Sequence, residues 1–113
     1  MRISESMIRY YLDTVTVGYF NDHDLPPDDV QEYEPQVRQI ERKLAKSGDG
    51  EKLQLAFAYL LQNNGFDLET LNGGRYPFDA DEMREIIKYC YETLFSKEKS
   101  LSEEEVMKIK IVK

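Results

Sequence analysis

The sequence LQLAFAYLL, residues Leu53 to Leu61, sets the architecture of the whole chain, because Gln54 is the single polar residue within it. A helix that is apolar on all sides has to be covered by other elements. The turn formers SGDG at 47–50 precede this segment, and Asn63, Asn64 and Gly65 follow it, so a helix is bounded on both sides. We therefore predict a central buried helix with other helices packed around it.

The segment from Ile3 to Phe20 is predicted to form a first helix, because its apolar residues are spaced by three and four positions. These residues are Ile8, Tyr11, Leu12, Val15 and Tyr19. The second half of the segment, TVTVGYF at 14–20, gives a competing signal. Alternating β-branched residues favour a strand, and Gly18 weakens a helix. Both interpretations of 14–20 stay open from the sequence.

A second helix is predicted to begin at Pro27, because proline needs no hydrogen-bond donor in the first turn of a helix. Asp28 and Asp29 would face the positive end of its dipole. An apolar seam with alternating spacings of three and four then follows. Its members are Val30, Tyr33, Val37, Ile40 and Leu44. Pro35 stands inside this seam, so we expect a kink or a new helix start there.

The strongest local signal for a helix start lies at Asp79. Glu82 follows three residues later and completes a capping box, while Phe78 and Met83 occupy the positions of a hydrophobic staple. A turn through Leu68 and Leu71, closed by Asn72, Gly73 and Gly74, precedes it. The predicted helix has an apolar inner face, formed by Met83, Ile86, Ile87, Cys90 and Leu94. Its outer face is acidic and carries Asp81, Glu82, Glu85, Tyr89 and Glu92.

The C-terminal segment carries a second capping box, Ser102 with Glu105, and a second staple pair, Leu101 with Val106. Beyond it, apolar residues alternate with lysines at 107–112, which is the period of a strand. The predicted fold class is mostly α, a small helical bundle of about four to five helices. The alternative to an all-helical chain is a bundle with a minor two-stranded β element from 14–20 and 107–112.

Length and composition favour one acidic domain that spans residues 1–113. The formal net charge is −7, with 33% charged and 41% hydrophobic residues. We expect no secretory signal peptide, because the N-terminus is too polar, and no run of about 18 apolar residues is present to span a membrane. A lone cysteine, Cys90, cannot form an internal disulfide. A cytoplasmic location is therefore predicted.

The residues that usually carry catalysis are scarce, so we expect no enzyme. Cys90 lies on an apolar helical stripe, where a cysteine is typical of a core, and His23 lies in a predicted exposed loop. Asp22 and Asp24 match the first and third positions of an EF-hand loop, but the prolines at the fifth and sixth positions break that template. No cofactor or metal is predicted.

A segment of 13 residues, Asp22 to Glu34, carries six acids and no lysine or arginine. Concentrated charge of one sign favours a partner of the opposite sign, although a solvated loop is the plain alternative. The chain also has eight tyrosines, and Tyr10, Tyr76 and Tyr89 fall outside the predicted apolar stripes. The predicted partner-binding residues are Asp22, Asp24, Asp28, Asp29, Glu32, Glu34, Tyr76, Asp81, Glu85, Tyr89 and Glu92.

Three hypotheses for function follow. The leading one is a non-enzymatic acidic inhibitor of the immunity, antitoxin or anti-defence kind, which occludes a basic, nucleic-acid-handling protein. Such an inhibitor would not itself bind nucleic acid or a membrane, because its net charge is negative. The second is an assembly subunit that forms a helical homo-oligomer through an exposed seam at Val30 to Leu44. The third is a metal-dependent regulator that uses the acidic segment.

Overall fold

A computed structural model describes residues 2–63, 65–96 and 103–113 of the chain. Its strands and α-helices, in chain order, are β1 (Arg2–Ser4), α1 (Glu5–Thr16), α2 (Glu34–Ser47), α3 (Gly50–Gln62), α4 (Ala80–Phe95), α5 (Glu103–Met107) and β2 (Lys110–Val112). Short 3-10 helices lie at Tyr19–Asn21, Val30–Tyr33 and Leu68–Leu71. The predicted small helical bundle with a minor β element is confirmed.

Helix α3 is the buried centre of the bundle, as its composition predicts. Leu53, Ala56, Phe57 and Leu60 are fully buried, and the helix packs against α2, α4 and α5. It ends at Gln62. Within the described residues, no helix is both long and apolar enough to cross a membrane.

Helix α1 extends through Thr16, so the strand interpretation of 14–20 is wrong. Thr14, Val15 and Thr16 are all buried in the helix. The Thr16 hydroxyl donates a hydrogen bond to the Leu12 carbonyl oxygen at 3.2 Å. The burial of this face outweighs the intrinsic β preference of its residues.

The small sheet pairs the two ends of the chain. Strands β1 and β2 are parallel, with Arg2 opposite Lys110, Ile3 opposite Ile111 and Ser4 opposite Val112. The C-terminal strand therefore lies inside the predicted 107–112 segment, but its partner is 2–4 and not 14–20. Ile3 is buried in the hydrophobic core, so its side chain packs the short sheet against the helical bundle.

The chain before α2 differs from the prediction. No helix begins at Pro27; a 3-10 helix starts at Val30, where Asp29 is the N-cap, and α2 begins afresh at Glu34 with Pro35 in its first turn. The new helix start predicted at Pro35 is confirmed. Proline is tolerated in the first turn of a helix, because a backbone N–H at that position has no partner within the helix. Gly48 ends α2 in the left-handed conformation, with φ of 77°.

The apolar seam of this region faces the core of the same chain. Tyr33, Val37 and Ile40 are buried, while Val30 and Leu44 are partly buried against the core. The assembly hypothesis expects an exposed seam between Val30 and Leu44, and that expectation is wrong. Residues three and four apart share one helical face, and here that face is already covered.

Helix α4 starts as predicted. A side-chain oxygen of Asp79 accepts a hydrogen bond from the Glu82 amide at 2.8 Å, and the Glu82 carboxylate accepts one from the Asp79 amide at 3.1 Å. Phe78 and Met83, the predicted staple pair, are both buried. The second predicted capping box and staple lie partly outside the described residues, since the structure does not describe Leu101 and Ser102.

Candidate functional site: an acidic groove

A groove of about 690 Å³, open to solvent, lies between the chain that leads into α2 and the outer face of α4. Pro26, Pro27 and the 3-10 helix at Val30–Tyr33 form one wall of the groove, and α4 forms the other wall. The floor contains Tyr33, Phe78 and Ile86, which are members of the hydrophobic core. The groove thus has an apolar floor directly over the core.

Packing of the 3-10 helix against α4 brings the two walls together. Tyr33 is buried between them, and its ring meets Tyr19 edge to face at a centroid distance of 4.9 Å. Across the groove, the Tyr89 hydroxyl donates a hydrogen bond to the Gln31 carbonyl oxygen at 3.4 Å. Two acidic stretches that are distant in sequence therefore face one another.

The lining of the groove is strongly acidic. Among the residues that the structure describes, it holds one lysine, Lys88, and six carboxylates: Asp28, Asp29, Glu34, Glu82, Glu85 and Glu92. Three of these carboxylates already have structural partners. Asp29 caps the 3-10 helix, Glu82 belongs to the capping box of α4, and Glu34 pairs with Arg38 at 3.7 Å.

The other three carboxylates are the available charges of the groove. Asp28, Glu85 and Glu92 are exposed, and none of them has a hydrogen bond or an ion pair with another described residue. Like charges held on facing walls repel one another, which a cationic ligand would relieve. The arrangement is suited to binding a positively charged group.

Apart from Tyr76, the predicted partner-binding residues divide into two groups. Those that line the groove are Asp28, Asp29, Glu34, Glu85, Tyr89 and Glu92. Asp22, Asp24, Glu32 and Asp81 are also exposed, but they lie outside the lining. The Glu32 carboxylate accepts a hydrogen bond from the Asp29 amide at 3.4 Å and so completes a capping box.

The tyrosines outside the predicted stripes have three different settings. Tyr76 is partly buried rather than exposed, because its ring stacks on Phe20 at 5.7 Å and lies 4.7 Å from Phe78. Tyr10 is 56% exposed and lies under the Lys43 ammonium group. Tyr89 alone among these three lines the groove.

Sequence reasoning missed several groove residues. Pro26, Pro27 and Thr93 give no charge signal, and Lys88 interrupts an otherwise acidic face of α4. The spacing of Lys88 from Glu85 and Glu92, three and four positions, places it between them on one helical face. Helical periodicity alone therefore places Lys88 on the acidic face of α4.

The two residues with catalytic potential lie away from the groove lining. Cys90 is fully buried, and loss of solvation raises the pKa of its thiol to about 12, so it carries no thiolate at neutral pH. His23 is exposed; its ring stacks on Tyr19 at 4.0 Å, and Nδ1 lies 3.0 Å from the Tyr19 carbonyl oxygen. In the described ranges, no three His, Cys, Asp or Glu side chains are grouped to hold a metal ion.

Comparison with protein-family models, with curated proteins and with solved structures finds no match to this chain. The groove is the feature that joins the acidic segment to the acidic face of α4. Its shape, floor and charge are therefore the basis for a proposal about function.

Proposed function

We propose that this protein is a non-enzymatic binding protein that inhibits a basic, nucleic-acid-handling partner by covering part of the partner's basic surface. One observation carries the proposal: the carboxylates of Asp28 on one wall and of Glu85 and Glu92 on the other line a common groove, and none of them forms an ion pair with another described residue. Carboxylates held in this way take the place of the phosphates that such a partner normally binds.

Different groups in the groove attract the partner protein and hold it once it is bound. The acidic walls create a field that accelerates encounter with a cationic surface. Tyr89 is partly buried and lines the groove, and aromatic rings provide contact area and cation–π attraction to arginine. Charge therefore supports the rate of association, and contact with the Tyr89 ring supports the lifetime of the complex.

Immunity proteins, antitoxins and phage anti-defence proteins act in this physical manner. The same proposal places the interaction in the cytoplasm, which suits a chain with a single, buried cysteine. Direct binding to nucleic acid or to an anionic membrane is disfavoured by the net charge of −7.

The proposal is tested by affinity capture from the native cell with three forms of the protein. The groove variant is Glu85→Gln/Glu92→Gln, and the matched control is Asp22→Asn/Asp24→Asn, which removes the same charge from outside the groove. All four positions are exposed, so both variants should fold. We expect the wild type and the control to retain a basic protein that the groove variant loses.

Each captured protein is then tested for inhibition of its nucleic-acid activity by the purified wild type. Dose-dependent inhibition at a 1:1 ratio supports the proposal. Capture that is equal for the groove variant and the wild type contradicts it, as does a captured partner whose activity is unchanged.

A further inference from the structure

The loop between the 3-10 helix at Leu68–Leu71 and α4 contains the dipeptide Asn72-Gly73. We infer that this dipeptide is a site of spontaneous covalent modification, in which Asn72 loses its side-chain amide. The native loop holds the reaction back, and a chain that has lost the amide cannot restore the loop. The site lies outside the groove lining, so the inference is independent of the proposed function.

The chemistry follows from an asparagine with a glycine directly after it. The backbone nitrogen of Gly73 attacks Cγ of Asn72, and the absence of a side chain on glycine leaves this nitrogen accessible. The side-chain nitrogen of Asn72 takes up the proton of the Gly73 nitrogen and leaves as ammonia, and a cyclic succinimide remains. Water then opens the ring at either carbonyl carbon, which gives aspartate or isoaspartate. Asparagine is accordingly a thermolabile residue.

The Asn72 side chain is held in the native loop by both of its polar atoms. Its Nδ2 donates a hydrogen bond to the Tyr76 carbonyl oxygen at 2.7 Å, and its Oδ1 accepts one from the Gly74 amide at 3.0 Å. The Tyr76 carbonyl oxygen also accepts a hydrogen bond from the Phe78 amide at 2.9 Å. The Asn72 amide therefore closes the loop that leads to the buried Phe78.

The two glycines of the loop are packed against the end of α1. A Cβ atom at Gly73 would overlap the Asp13 carboxylate, and a Cβ atom at Gly74 would overlap the Thr16 carbonyl oxygen. The attacking nitrogen of Gly73 is thus held in place, as the Asn72 amide is. Both groups need freedom to rotate into a reactive geometry, so we expect the reaction to proceed from an opened loop.

The product of the reaction lacks the donor that closes the loop. At neutral pH an aspartate carboxylate has no proton to donate, and its oxygen would face the Tyr76 carbonyl oxygen in place of Nδ2. The new negative charge also enters next to Gly73, which the Asp13 carboxylate already contacts. Isoaspartate in addition inserts the side-chain carbon into the main chain. Each product therefore opposes closure of the loop.

The first test compares the rate of the reaction in the folded and the unfolded protein. The full-length protein is incubated at neutral pH with and without guanidinium chloride, and mass spectrometry of its peptides follows the mass gain at Asn72. We expect the reaction to be at least about tenfold faster in the unfolded chain. The sequence has a second Asn-Gly dipeptide, Asn64-Gly65, which serves as the reference because both should react at similar rates once unfolded.

The second test introduces the product directly. Asn72→Asp removes the donor to Tyr76, and Asn21→Asp is the matched control, because it adds the same charge at an exposed position. We expect Asn72→Asp to lower the midpoint of thermal unfolding and the control to leave it nearly unchanged. The loss should shrink as the pH falls below about 4, where the carboxyl regains a proton that it can donate.

Three results would overturn the inference. Equal rates in the folded and the unfolded protein would show that the loop gives no protection. An Asn72 that stays intact in the unfolded chain, while Asn64 reacts, would remove the site itself. Equal stability of Asn72→Asp and Asn21→Asp at neutral pH would show that the loop closes without the amide.

Discussion

The hydroxyl of the buried Tyr11 ties three elements of the bundle together. Its side chain is 1% exposed. The hydroxyl donates a hydrogen bond to the Asp49 carboxylate at 2.8 Å and lies 2.7 Å from the Ser47 hydroxyl. The end of α2 and the start of α3 are thereby held to α1.

We expect Tyr11→Phe to lower the free energy of unfolding by about 1–2 kcal/mol, because it leaves the partners of a partly buried hydroxyl unsatisfied. Tyr10→Phe is the matched control. Its ring is 56% exposed, so the change should stay within about 0.5 kcal/mol. Urea denaturation measures both variants, and equal effects would refute the role given to the Tyr11 hydroxyl.

The partly buried carboxyl group of Asp13 should make the free energy of unfolding depend on pH. One of its carboxylate oxygens is buried with no hydrogen-bond partner among the described residues. Burial raises the pKa of this carboxyl above its ordinary value of 3.8, against the opposing effect of Arg9 and Lys43. A raised native pKa means that the charged form costs stability at neutral pH, and that this cost disappears as the pH falls through the native pKa.

Asp13→Asn should therefore be more stable than the wild type at neutral pH, and its advantage should shrink as the pH approaches 3.8. Urea denaturation over a pH series measures the difference. A difference that is constant with pH, or an Asn variant that is less stable at neutral pH, would contradict this account of Asp13.

At the scale of elements, the capping box of α4 gives a direct prediction. Asp79→Ala removes the side-chain acceptor that meets the Glu82 amide, so we expect a loss of about 1 kcal/mol. Asp79→Asn keeps an oxygen at the same place and should cost much less. Thermal unfolding of the two variants distinguishes loss of the cap from loss of charge; an equal loss in both would argue against the cap.

Elements defined by nearby residues were predictable from the sequence. The capping box at the start of α4 is formed by Asp79 and Glu82, three residues apart, and the buried α3 follows from the composition of 53–61. The sequence left both a helix and a strand open at 14–20 because β-branched residues favour a strand locally, whereas packing of Thr14 and Val15 against the bundle decides for the helix. Local preference was the weaker effect.

The partner of the C-terminal strand could not be predicted, because strand pairing is a long-range property. Residues 2–4 contribute one buried side chain, Ile3, between two exposed residues. Such a short alternation is too weak a pattern to identify a strand. Only the packed bundle brings β1 and β2 side by side.

At the scale of the whole molecule, the acidic surface consists of two patches, which the sequence predicts separately. The patches are the segment from Asp22 to Glu34 and the outer face of α4, and each was predictable from composition and helical periodicity. Their meeting depends on the packing of the 3-10 helix at Val30–Tyr33 against α4. The apolar seam predicts that Tyr33 is buried, but no local pattern reports that α4 is the element next to it. The groove is thus a product of tertiary packing.

If the groove carboxylates attract a basic partner, salt should slow its association with this protein. The association rate constant of the captured partner is measured by stopped flow from low to high salt for the wild type, the groove variant Glu85→Gln/Glu92→Gln and the control Asp22→Asn/Asp24→Asn. We expect a rate that falls steeply with salt for the wild type and control, and a slower, less salt-dependent rate for the groove variant. A salt-independent wild-type rate, or a groove variant that matches the control at every salt concentration, would contradict the attraction by these carboxylates.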